Sequence, residues 1–362
     1  MKKIIIFNPF GIGDVIFSTP LVKILKQAYK DVEITYICNK RCIFLLKNNP
    51  NIKEVIVFEK DDFRKLFKVS KIGFLKQLIQ YLGKINSIKA DMMIDLSLSS
   101  QSPFFGILYG IKKRIGFNYK NRGKFLTDKI ELKGFEEKHV VSYYKDLLKL
   151  IGTKHEQTVL TETFTDTECN SWADEILEKN KLKDKFLIGV IPGGGRSWGK
   201  DAHYRRWPVS HFAHIIDSMV EKLEVNVVLL GDFYEKELCN NLKSFAQHKL
   251  LSLAGETSVC QLMSLIKKCD MIFCNEGGPL HIAVALNVPT VSIFGPVDEK
   301  IYGPYTDDKL KHVIVSNREK CTPCYSRFRH KDCNTLICLN SISEKEVLKA
   351  VERVYRNITG QH

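Results

Sequence analysis

Lys3-Ile4-Ile5-Ile6-Phe7-Asn8-Pro9-Phe10-Gly11-Ile12-Gly13-Asp14-Val15 is the stretch that decides the fold. Its first six residues are rich in β-branched side chains and do not alternate with polar ones. That is the pattern of a strand buried on both faces of a parallel sheet. Pro9, Gly11 and Gly13 then break the run. Beyond them, Leu21, Ile24, Leu25 and Ala28 recur at helical spacing within residues 19–29. Strand, tight turn and helix open a βαβ unit. The start also resembles a signal peptide superficially. The apolar run is too short for one, Asp14 interrupts its continuation, and no small-x-small cleavage site is present. An unexported chain is expected.

The same alternation continues outward. Strands are expected at 32–38, 55–58 and 92–96, the last ending in Asp95 and a Ser-rich loop. Residues 61–89 are Lys-rich and amphipathic, with Phe63, Leu66, Phe67, Ile72, Leu75, Leu78, Ile79 and Leu82 three or four apart. Helices packed on the sheet are expected there, with a helix at a membrane interface as the alternative. A helix at 166–180 and a charged hinge at 181–185 come next. The pattern then restarts, with strands at 186–191, 225–230, 249–253, 271–274 and 290–294. Helices fall at 209–222, 234–245, 260–267 and 279–286, with a final amphipathic helix at 343–356. A chain of 362 residues also exceeds the roughly 250–300 at which a single core stops growing. Two α/β domains in tandem are expected: residues 1–170, residues 171–342, and a C-terminal helix and tail at 343–362. Ligands of such sheets bind beyond the carboxyl ends of the strands.

The net charge of +14 is uneven. Residues 1–165 hold 29 Lys and Arg against 16 Asp and Glu; the rest hold 26 against 25. The first half is therefore suited to an anionic partner, although a solvated Lys-rich surface is an equal alternative. No aromatic-basic motif points to nucleic acid, and no apolar run reaches the ~18–20 residues that span a bilayer. The 11 cysteines are odd in number and mostly scattered, which argues against a secreted disulfide scaffold and for a reducing cytoplasm.

Three turns that follow strands carry chemistry. In the first, Gly11 and Gly13 permit a tight turn, but Ile16 stands where a dinucleotide fingerprint needs its third glycine. Asp14 is either a helix cap or a general base at the edge of a cleft. The second turn is Pro192-Gly193-Gly194-Gly195-Arg196, running on to Lys200 and to Arg205-Arg206-Trp207-Pro208. A glycine-rich turn after a strand offers backbone N–H groups to an anion, and Arg196, Lys200 and Arg205 add cations. No Gly-Lys-Ser/Thr ends it, so it is not a Walker loop. The third is Glu276-Gly277-Gly278-Pro279-Leu280-His281. Pro279 fits the first turn of a helix, whose N-terminus favours phosphate. Glu276 is read as a cap or a ribose ligand, and His281 as a donor to diphosphate or sugar.

This ordered set resembles glycosyltransferase family 9, the ADP-heptose:lipopolysaccharide heptosyltransferases, over nearly the whole chain. The resemblance rests on Gly-Ile-Gly-Asp-Val, on Pro-Gly-Gly-Gly followed by Arg-Trp-Pro, and on Gly-Gly-Pro-Leu-His-Ile-Ala followed by Ile293-Phe294-Gly295-Pro296. It implies a GT-B fold, two Rossmann-like domains facing across a cleft, with acceptor on the first and nucleotide sugar on the second. It implies inverting transfer with Asp14 as base and no catalytic metal or other cofactor, and ADP-heptose as donor. Arg205 stands where the family has a lysine on phosphate, and Glu276 where it usually has Asp. The implied acceptor is an anionic glycolipid of the lipopolysaccharide core, reached by a cytoplasmic monomer in peripheral contact with the inner membrane. A non-catalytic glycolipid-binding member and a GT-B sugar-nucleotide epimerase are the competing readings.

Cys321, Cys324, Cys333 and Cys338 have C-x2-C-x8-C-x4-C spacing and also resemble a pattern common in family members. Four such thiols suit a tetrahedral structural metal. Disulfides and a free-thiol loop are the alternatives.

Overall fold

The computed structural model describes residues 2–154, 158–195 and 198–361. It divides into two compact units, Met1–Phe135 with Val140–Val159, and Glu136–His139 with Leu160–His362.

The first unit is built on six parallel strands: β1 (Lys3–Asn8), β2 (Glu33–Cys38), β3 (Glu54–Val57), β4 (Met92–Asp95), β5 (Lys113–Tyr119) and β6 (Asp128–Leu132). They lie in the order β3-β2-β1-β4-β5-β6. β1 pairs with β2 through Ile4↔Ile34 and with β4 through Ile4↔Met92. Its apolar run follows from that central place, since all but its first residue are buried. The order reverses beside β1, and the crevice beyond the carboxyl ends of β1 and β4 is the topological switch point. β5 and β6 carry polar residues among few apolar ones, which hid them in the sequence.

The second unit repeats the plan with β7 (Leu187–Ile191), β8 (Asn226–Leu229), β9 (Leu251–Ser252), β10 (Met271–Asn275), β11 (Thr290–Phe294) and β12 (His312–Ser316). The order is β12-β11-β10-β7-β8-β9, all parallel. The switch point here lies between β7 and β10. Trp207, Phe212 and Phe273 form the aromatic centre of its core. The closing helix Glu344–Thr359 begins in a Ser343/Glu346 capping box. It buries Val347, Ala350, Val351 and Val354 in that same core.

Two expectations change. The helices at 61–89 form, as Lys60–Val69 and Lys71–Ile88, with Ser70 accepting from the Gly73 N–H at 3.0 Å. They pack on the sheet mainly through Tyr81, Ile85 and Ile88. Phe67, Val69, Ile72, Leu75 and Ile79 are exposed, Ile72 by 84% and Val69 by 85%. The second change concerns sulfur. Cys169, on the Thr167–Lys179 helix, is disulfide-bonded to Cys260, on the Val259–Lys268 helix. The scattered cysteine count therefore did not exclude a crosslink. No helix among the described residues is long and apolar enough to cross a membrane.

Candidate functional site

Each of the three chemical turns lies at a switch point. In the first unit, β1 runs into the Ile12–Phe17 helix, whose first turn carries Asp14. Asn8 anchors the corner: its Nδ2 donates to the Asp14 carbonyl at 3.2 Å, and its Oδ1 accepts from the Phe10 N–H at 3.2 Å. Asn39, beyond β2, donates to the Phe10 carbonyl. Asp14 is not the cap of this helix. That position is Gly11, and no side chain caps it. Burial raises the Asp14 carboxyl from 3.8 to about 6, opposed by backbone hydrogen bonds at Gly11 and Asp14. Gly11 turns at φ −76°, open to any residue. A β-carbon there would meet only Asp14 Oδ2, at 3.9 Å. The turn thus does not depend on Gly11 for its backbone, contrary to expectation, and Gly13 lies inside the helix.

The sequence marked Asp95 only as the end of a strand. The carboxylate is buried at the tip of β4 and accepts from Ser102 Oγ at 2.6 Å and the Ser97 N–H at 3.1 Å. Burial pushes it up to about 6 as well. Beside these strands, between one face of the sheet and the helix that carries Tyr81, lies a cavity of about 430 Å³, with Phe10, Phe58, Tyr81 and Tyr109 on its walls and Arg41 and Lys60 among its polar residues; neither Asp14 nor Asp95 lines it. The Tyr81 hydroxyl is buried with no hydrogen-bond partner among the described residues.

In the second unit the turn after β7 meets the turn after β10. Gly194 and Gly195 have φ of +76° and +87°. At Gly277, φ is +147°, and a β-carbon would stand 1.9 Å from the Gly194 carbonyl oxygen. Only glycine allows this contact. Asn275 stitches the turns together: Nδ2 donates to the Pro192 carbonyl at 2.6 Å and Oδ1 accepts from the Trp207 N–H at 3.1 Å. Pro279 sits in the first turn of the Gly278–Ala285 helix, with Leu280 and His281 buried behind it.

Two expectations for this turn pair are corrected. Glu276 is neither cap nor open ligand. Its two carboxylate oxygens accept from Nε and Nη2 of Arg205, and both residues are buried. Arg205 Nη2 also donates to the Glu276 carbonyl at 3.2 Å. Arg205 is therefore half of a bidentate ion pair rather than a cation facing only outward. Second, the Gly195 N–H is already engaged, donating to Glu235 Oε1 at 2.8 Å. Glu235 also accepts from the Asp232 N–H at 2.9 Å, and burial raises its pKa. A β-carbon at Gly193 would overlap that carboxylate, at 1.8 Å. Lys200 stands exposed on the Gly199–Arg205 3₁₀ turn, and Arg196 lies outside the described residues.

His281 is pushed down to about 3 by burial, with His139 and Arg205 adding to the effect. His139 is likewise pushed down to about 4 by burial, and Nε2–H donates to the Gly303 carbonyl at 3.0 Å. Both rings are neutral at pH 7. Sequence reading missed His139 and Glu235, since each lies tens of residues from the motif it joins. The first unit can therefore supply one half-buried carboxylate, Asp14, beside the buried Asp95. The second unit supplies a glycine corner, a helix N-terminus, a buried ion pair and neutral histidines.

The paired 3-2-1-4-5-6 sheets are those of the GT-B class of glycosyltransferases. A solved glycosyltransferase family 9 structure from Veillonella parvula matches with a TM-score of 0.80 at 22% identity, over 98% of this chain and 97% of that one. The structure of E. coli ADP-heptose lps heptosyltransferase II matches at 0.75 and 22%, covering 99% of both. Lipooligosaccharide heptosyltransferase 2 of Campylobacter jejuni is 25% identical over 98% of this chain and 99% of its own length. The family model for glycosyltransferase family 9 (heptosyltransferase) matches residues 78–334. The chain belongs to that family, and it is a glycosyltransferase.

Proposed function

We propose that this chain transfers heptose from ADP-heptose to an anionic glycolipid of the lipopolysaccharide core, with inversion at the anomeric carbon. The first unit is the acceptor side and the second the donor side. The acceptor hydroxyl loses its proton to the Asp14 carboxylate. Its oxygen forms the new bond to the anomeric carbon as the bond to phosphate breaks, and ADP leaves. A single displacement of this kind inverts the centre. Charge growing on the diphosphate meets the N-terminus of the Gly278–Ala285 helix, neutral His281 as a donor, and the cations Arg205, Lys200 and Arg196. These groups replace a catalytic metal in this reading.

The observation that carries the reading is Asp14. A carboxylate at a switch point, raised to about 6, is ionised at pH 7.5 yet basic enough to accept a proton in the transition state. The donor and acceptor classes are supported by the family and by the names of its relatives, a lipooligosaccharide heptosyltransferase and an ADP-heptose lps heptosyltransferase. The exposed apolar residues of Lys60–Ile88, set among Arg64, Lys65, Lys68, Lys71 and Lys76, support peripheral contact of a cytoplasmic monomer with the inner membrane. The test is turnover of ADP-heptose with lipopolysaccharide core acceptor. Asp14→Asn should lose at least about 100-fold in kcat while still binding ADP. Unchanged turnover defeats the assignment.

A further inference from the structure

We propose that the cavity beside Tyr81 is a lipid site: it holds one acyl chain of a phosphorylated membrane lipid, with the phosphate at Arg41 and Lys60 and the ester carbonyl at the Tyr81 hydroxyl.

The depth of the cavity is apolar because of how the sheet is registered. Ile5 and Phe7 of β1 are two residues apart and share one face. Met93 of β4 lies opposite Ile5, and Ile37 of β2 lies opposite Phe7. All four line the cavity. The facing wall comes from the Lys71–Ile88 helix, which contributes Leu78, Tyr81, Leu82 and Ile85 at three-to-four spacing. Phe105, on the Gln101–Leu108 helix, closes one side. Protein interiors leave few voids larger than a water, and an apolar void does not hold water well. The space of about 430 Å³ is therefore suited to hydrocarbon. It falls towards the lower end of the ~300–1,000 Å³ of small-ligand sites, which suits one chain.

Most polar groups on the walls are already spent on the protein. Ser102 donates to Asp95 at 2.6 Å and lies 2.8 Å from Ser97 Oγ. Asn39 donates to the Phe10 carbonyl and accepts from the Arg41 N–H at 3.0 Å. The Tyr81 hydroxyl differs, being buried with no partner among the described residues. Its ring packs at 5.6 Å from Phe58 and 5.7 Å from Phe63, beside the rim. A buried hydroxyl left unpaired is costly. The ester that joins an acyl chain to its head brings the one acceptor this hydroxyl lacks.

Charge at the rim selects the head. Arg41, Glu59, Lys60 and Asp61 follow the carboxyl ends of β2 and β3 and line the opening. Both carboxylates are engaged: Glu59 accepts from the Lys40 N–H at 3.2 Å, and Asp61 lies 3.4 Å from Arg64. Arg41 and Lys60 are exposed and have no carboxylate partner among the described residues. An apolar cavity under two unpaired cations fits an amphiphile with an anionic head, and a guanidinium suits phosphate. The wall helix also exposes Ile72, Leu75 and Ile79 on its outer side, so apolar surface continues outward from the cavity. Asp14 does not line the cavity, and the site does not rest on the transfer chemistry.

The probe is lauroyl lysophosphatidic acid, which has one chain, one ester and one phosphate. Calorimetric titration of the full chain, freed of lipid and detergent, with this probe below its micelle-forming concentration should find one molecule bound. Arg41→Gln/Lys60→Gln should weaken binding about tenfold or more. Tyr81→Phe should weaken it about threefold or more, yet leave binding of dodecyl phosphate, which has no ester, unchanged. Ile85→Trp, which fills the cavity, should abolish binding of both. Ile72→Glu/Ile79→Glu should bind as the parent does. If Ile85→Trp does not fold, the rim and Tyr81 variants decide. A parent that binds no probe overturns the site, as does binding by folded Ile85→Trp or by Arg41→Gln/Lys60→Gln at parental strength. Loss in Ile72→Glu/Ile79→Glu puts the probe on the outer helix face and also overturns it. Equal weakening of both probes in Tyr81→Phe overturns the ester contact.

Discussion

At the scale of single residues, the role proposed for Asp14 and the stability of the fold oppose each other. Its folded pKa is about 6 against an ordinary 3.8. The folded state therefore binds the proton more tightly, and stability is lost as pH rises from about 4 to 6. Above that window the ionised carboxylate costs on the order of 1–3 kcal/mol. Asp14→Asn should melt higher than the parent at pH 7.5, with the gap closing towards pH 4, although turnover collapses. The parent's turnover should fall as pH drops through about 6. Calorimetry and pH–rate profiles check both halves. Arg205 and Glu276 give a second case. Glu276→Ala leaves a buried guanidinium unpaired and should cost about 3–5 kcal/mol, while Arg205→Met/Glu276→Leu should recover most of it in denaturant melts. Asp14, the glycine turns and His281 could be singled out as candidates because each sits beside its strand in sequence. The Arg205–Glu276 pair and the Glu235 carboxylate under Gly193 were not. The first joins turns brought together by the pairing of β7 with β10, the second by the pairing of β7 with β8.

At the scale of elements, the Lys60–Val69 and Lys71–Ile88 helices mark where periodicity misleads. A spacing of three and four identifies an apolar face but not the surface that covers it. The sheet takes Tyr81, Ile85 and Ile88, and leaves Ile72, Leu75 and Ile79 to solvent. Vesicles with anionic lipid should sediment the full chain at low salt. Lys→Gln changes at 65, 68, 71 and 76 should weaken that binding, as should Ile72→Glu/Ile79→Glu; each lost cation should cost about 1 kcal/mol. Undiminished sedimentation at low salt refutes the membrane contact. Three strands are absent from the sequence reading. β5 and β6 set charged and polar residues among few apolar ones, and β12 is a short Val-Ile-Val run between His312 and Ser316. Central β1, β7 and β10 are mostly apolar and declared themselves.

For the whole molecule, the donor role proposed for the second unit gives a binding prediction. ADP and ADP-heptose should raise the melting temperature, by about 2.7 kcal/mol of stability at one hundred times Kd. UDP sugars should do so less. Equal shifts from all nucleotides would remove the adenine preference. The division into two α/β units was legible from the pattern that restarts at β7. The route of the chain was not. The sequence reading divides the chain once, at 170, whereas Glu136–His139 belongs with the second unit while Val140–Val159 returns to the first.

That detour limits how the protein can be dissected. A gene cut at 160 would yield a C-terminal product without His139, the ring lying 4.8 Å from Tyr305, and without Glu136, the carboxylate that pairs with Arg327. The N-terminal product would carry both in an internal loop stripped of its partners. The two halves are interlaced through four residues, and complementation between separately made pieces should depend on that short splice being supplied in trans.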